Sequence, residues 1–216
     1  MPLFNLFKKK TTGPYTNPGL NKMYDLLFCD DLAQYKTEPK PSMYPWDVLL
    51  ADTPDTDKLK AVIADKTLES RSRILAYRLL PPQEDSAKEL LATIVEVSLP
   101  QGLDVLAAFN DGSARYINHA EKLLVWENRT PESNALISQL LTLSSNIVSR
   151  IGPWDQPRRP YPQNDAVRLT FLASDGLYFG EGPFDALQHD PMAAPVLDAA
   201  TSLMAYLTSV ATKNSS

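Results

Sequence analysis

The chain has 216 residues, 44% of them apolar, with 18 prolines and a net charge of −5. That charge gives no general electrostatic attraction to nucleic acid or to an anionic membrane. The single cysteine, Cys29, excludes an intramolecular disulfide, and His119 and His189 are the only histidines, so no Cys/His zinc site can be assembled.

A chain of this size buries roughly 70% of the surface its unfolded form exposes, enough for a core without covalent staples. The opening MPLFNLFKKK puts apolar residues before its lysines, the reverse of a secretory signal. No run reaches the ~18 apolar residues of a membrane span. A cytoplasmic, soluble protein is the expectation. Charge is unevenly divided: residues 1–80 carry 12 Lys+Arg and 10 Asp+Glu, residues 81–216 carry 9 and 16. The C-terminal part therefore offers an acidic surface.

In chain order, residues 1–15 read as a flexible tail and 16–212 as one domain, with 16–82 mostly helical, 88–212 forming sheet and helices, and 213–216 a disordered end. Asn17-Pro18-Gly19 is turn chemistry, and an apolar stripe with helical spacing follows over Leu20–Tyr35, interrupted at Cys29-Asp30-Asp31. Pro39, Pro41 and Pro45 make an extended connector, because proline removes a backbone donor and disfavours helix in the residue before it. Thr53-Pro54-Asp55 predicts a capped helix start, and a further helix is predicted over Leu68–Leu80, stopped by Pro81-Pro82.

The period then changes. Leu90–Leu99 is β-branched and alternating, and Pro100-Gln101-Gly102 turns it into Leu103–Phe109. Asn110-Asp111-Gly112 supplies the positive φ angles of a tight hairpin, and Ser113–His119 and Lys122–Glu127 follow as short strands. Thr130-Pro131-Glu132 opens a long helix whose Leu136, Leu140, Leu143, Ile147 and Ile151 recur at steps of three and four; Gly152-Pro153 ends it. A Pro-rich loop, Trp154–Asp165, leads into a strand over Ala166–Ala173, an Asp175-Gly176 turn and a return strand, Leu177–Gly180. A last helix covers Ala193–Ala211. Segregated helices and hairpins predict an α+β fold: an antiparallel sheet of about six strands, a four-strand meander plus a hairpin, packed against helices with an N-terminal helical layer.

No catalytic motif is present: no glycine-rich phosphate loop, no Gly-x-Ser-x-Gly elbow, no His-Glu-x-x-His. Cys29, beside two acids, reads as a small buried hydrophobe rather than a nucleophile. A histidine could pair with Asp104, Asp111 or Asp190 for acid–base work, although no nucleophile or metal completes such a site. Two binding candidates remain. The Pro-stiffened loop presents Trp154, Arg158, Arg159 and Tyr161, residue types enriched at binding hot spots. The two Asp-Gly hairpins bring a second, polar set: Asp111, Arg115, His119 and Asp175. The expected function is non-catalytic binding of another protein through the loop, with no cofactor, no metal and no nucleic-acid partner. The alternative is an enzyme or small-ligand-binding protein with a polar site near the hairpins.

Overall fold

A computed structural model of the protein describes residues 13–81 and 88–213. Most of the expected N-terminal tail and the last three residues lie outside the described residues. Tyr15, assigned to that tail from sequence, is buried: its ring packs edge-on against Tyr24 and its hydroxyl donates to the Leu103 carbonyl.

The N-terminal layer comprises α1 (Pro18–Leu26), a 3₁₀ turn (Leu32–Tyr35), α2 (Trp46–Leu49), α3 (Thr56–Ala64) and α4 (Ser70–Leu79). The helix predicted over Leu20–Tyr35 is divided. Cys29 adopts a positive φ of 51°, and Asp31 opens the 3₁₀ turn by accepting from the Ala33 N–H. Likewise α3 starts later than Thr53-Pro54 suggests, because the Asp55 carboxylate accepts from both Asp57 N–H and Lys58 N–H, the stronger of the available caps.

The meander follows as β1 (Leu90–Leu99), β2 (Gly102–Phe109), β3 (Ala114–Ile117) and β4 (Leu123–Trp126), then α5 (Pro131–Val148), β5 (Ala166–Ala173) and β6 (Gly176–Pro183). A short helix that the sequence reading did not anticipate, α6 (Phe184–His189), precedes α7 (Ala193–Lys213). Thr130 caps α5 in a reciprocal box with Ser133, and Pro131 occupies its first turn, as the Thr-Pro-Glu signature implies. Gly112, at φ +85°, completes the first hairpin turn, where Asp111 accepts from Ser113 N–H at 2.8 Å.

All six strands form one antiparallel sheet in the order β4-β3-β2-β1-β5-β6, an α+β fold. Helices cover both faces. On one, Leu140, Ile147, Val196, Leu203 and Leu207 of α5 and α7 meet Val95, Leu106, Leu169 and Phe171. On the other, Tyr24, Phe28, Leu49, Val62 and Ile74 of the N-terminal layer meet Ile94, Val105, Ala107 and Phe109. Burial of both faces is why β1 and β2 read as nearly continuous apolar runs rather than clean alternations.

Candidate functional site

The loop Trp154–Asp165 lies across the sheet margin and the N-terminal layer. Trp154 donates its backbone N–H to the Leu177 carbonyl at 2.7 Å and its indole N–H to the Pro157 carbonyl, and its ring packs edge-on against Phe179. Arg158 turns inward. Its Nε donates to Asp30 at 2.6 Å and its Nη2 to Asp25 at 2.8 Å, and its guanidinium sits 4.0 Å from the Phe28 ring centre. Burial opposes the Arg158 charge, but Asp30 and Asp25 hold the group more firmly protonated than usual. Arg159 stays half exposed, while Tyr161 packs against the N-terminal core. Trp154, Arg158 and Arg159 do line one recess, together with Arg168, Thr170 and Phe179, yet the arginine expected at a binding surface serves as an internal clamp.

Beneath this strap lies a buried polar network. Glu96 is wholly inaccessible. One carboxylate oxygen accepts from Tyr24 Oη at 2.6 Å; the other has no hydrogen bond and lies 3.8 Å from Arg168 Nη1. Arg168 donates to Glu181 and to the carbonyls of Arg159 and Pro160. Burial raises the Glu96 pKa above its ordinary value.

The two Asp-Gly hairpins lie at the same end of the sheet, on either side of the start of β1. Their polar side chains do not converge. Asp111 accepts from Ser70 N–H at the start of α4 at 2.6 Å, Arg115 is buried against the Trp126 carbonyl and Glu127, and Asp175 accepts from Tyr178 Oη. His119 sits beyond the far end of β3, beside Gly102 at the start of β2. Of the four, Asp111 borders a hollow of about 520 Å³, lined also by Asn110, Arg129, Asn134 and Ser138. The last three are solvent-exposed.

At the other end of the sheet a more enclosed space lies between the strands and the C-terminal helices. This cleft, of about 400 Å³, has walls of Val95 and Val97 from β1, Leu106 from β2, Phe184 from α6 and Leu197 and Met204 from α7. Polar groups are few: Asp104, Tyr116, Gln188, Asp198 and Thr201. Asp104 is held firmly. One oxygen accepts from His119 N–H at 2.6 Å and lies 2.8 Å from His119 Nδ1; the other accepts from Tyr116 Oη at 2.8 Å. Burial, then the hydrogen bond to Asp104, pushes the Tyr116 pKa up, so its proton stays on the phenol. The histidine–carboxylate pair considered from sequence thus forms at Asp104, without a nucleophile among its hydrogen-bonding partners. Sequence reasoning did not find the cleft, which draws on five separate elements; the one local signal is a charged residue, Asp104, inside the apolar run Gly102–Phe109.

Cys29 is buried, and burial pushes its thiol pKa up to about 11, which keeps it protonated and poorly nucleophilic at neutral pH. Among the described residues no group of three or more His, Cys, Asp or Glu side chains is arranged to hold a metal ion, and no helix is long and apolar enough to cross a membrane. No family model, curated protein or solved structure matches the chain, so function rests on the geometry of these sites.

Proposed function

We propose that the protein binds a small, largely apolar molecule in the cleft between β1–β3 and the α6–α7 wall. The observation that carries this reading is the combination of volume and lining: about 400 Å³, walled by aliphatic and aromatic side chains, with a few polar groups at fixed positions. Small-molecule sites have this character, a mostly apolar concavity of roughly 300–1,000 Å³ with a small number of orienting polar groups. Asp104 is pre-organised by three contacts before any ligand arrives, which lowers the ordering cost of recognition. Binding of another protein through the loop ranks second. Its support is that Trp154 remains 38% exposed beside the half-exposed Arg159, while Arg158 is already spent on Asp25 and Asp30.

The test uses the neutral fluorophore N-phenyl-1-naphthylamine. Saturable binding of one probe per chain is expected. Thr201→Trp, at an exposed α7 position that lines the cleft, should weaken binding by at least about tenfold, which corresponds to roughly 1.4 kcal/mol, with little change in Tm. Absence of saturable binding, or undiminished binding by the variant, would overturn the reading.

A further inference from the structure

We infer that the ligand of the cleft is a cationic amphiphile, an apolar body carrying a protonated amine. The inference rests on the cleft being a ligand site and goes on to its chemistry. Every formal charge among its lining residues is negative: Asp104 on β2 and Asp198 on α7, with no Lys, Arg or His in the lining. Among the described residues, His119, behind Asp104, is the one basic side chain in contact with either carboxylate.

The hydrogen-bonding capacity of the two acids matches an ammonium head. A carboxylate offers about four acceptor sites, and Asp104 has three engaged by His119 and Tyr116, leaving capacity for one further donor. The Asp198 carboxylate is exposed and has no hydrogen-bond or ion-pair partner among the described residues. An ammonium group brings three donors and no acceptor, so either carboxylate can receive it with every polar group of the head satisfied. A carboxylate head would instead face two like charges. A hydroxyl would gain hydrogen bonds but no charge attraction. The acidic balance of residues 81–216, 16 Asp+Glu against 9 Lys+Arg, favours the approach of a cation in the same sense.

The experiment displaces bound N-phenyl-1-naphthylamine with n-octylamine, n-octanol and n-octanoate, which share one chain and differ in the head. Octylamine is expected to bind at least about tenfold tighter than octanol, the advantage of a charge-assisted hydrogen bond, and octanoate most weakly. Asp198→Asn should reduce the octylamine-to-octanol affinity ratio severalfold. Asp57→Asn, which removes a fully solvated acid on α3 in the opposite layer, should leave that ratio unaltered. Octanol or octanoate binding as tightly as octylamine would overturn the inference while the cleft remained a ligand site, as would an unchanged ratio in Asp198→Asn or an equal fall in Asp57→Asn. Failure of the fluorophore itself to bind would overturn both.

Discussion

The two faces of the sheet are closed by different physics. Against α1–α4 and the strap, the sheet buries Glu96, Arg115 and Arg168, and closure depends on directional bonds: Arg158 to Asp25 and Asp30, Arg168 to Glu181 and two carbonyls. Against α5 and α7 the contacts are mainly hydrocarbon. Directional bonds admit one arrangement, since any displacement orphans a buried charge. Hydrocarbon walls can leave a hollow without stranding a polar group. The fold therefore has one face closed by directional bonds and one whose closure leaves room for a hollow, and the cleft lies on the face where space costs least.

The largest expected effect tests the apolar side. Phe171, fully buried on β5 against α5 and α7, should lose about 3–5 kcal/mol of stability on truncation to alanine, measured by urea denaturation and insensitive to salt. On the polar side, Arg158→Ala strands Asp25 and Asp30 and uncovers Phe28. A loss of about 2–3 kcal/mol is expected, and Arg158→Lys should recover only part of it because an ammonium cannot reproduce the guanidinium fork. Full recovery by lysine would mean that bare charge, rather than directional bonding, closes this face.

The smallest effect has the most informative sign. Burial raises the folded-state pKa of Glu96, and Tyr24, Arg158, Arg168, Glu181 and Tyr15 are among the titratable groups around it. A group with a raised folded pKa contributes stability below its unfolded pKa and loses that contribution as pH rises through the folded value. Glu96→Gln, which keeps an acceptor for Tyr24 and cannot ionise, should melt a few degrees above the parent at neutral pH and converge with it near about pH 4. A lower Tm at neutral pH would show an ionised Glu96 held by Arg168, making this face more strongly ionic than its geometry indicates.

Local chemistry made much of the fold legible. Thr130-Pro131 marks the start of α5, Asp111-Gly112 and Asp175-Gly176 mark two hairpins, and the β-branched run Leu90–Leu99 coincides with β1 at both ends. Each signal acts within a few residues. Other features were beyond that range. Arg158 reads as a surface arginine because the acids that claim it lie 128 and 133 positions away. Asp111, Arg115, His119 and Asp175 are hairpin-associated in sequence, yet strand direction sends His119 to the opposite end of the sheet from the Asp-Gly turns. The cleft is assembled only by the order β3-β2-β1 and the return of α6 and α7 over it, which no single segment encodes.

That strand order also has a consequence during synthesis. β1 lies between β2 and β5, and β5 is made more than 65 residues after β1 ends, at Leu99 and Ala166 respectively. A chain leaving the ribosome can complete its meander and its first four helices while β1 keeps one edge unpaired and Asp25 and Asp30 wait for Arg158. Exposed strand edges of this kind recruit other chains. The interval between translation of β1 and of β5 is therefore the time when the edge of β1 stands open, and slowing elongation across residues 100–165 should lower the soluble yield without altering the finished structure.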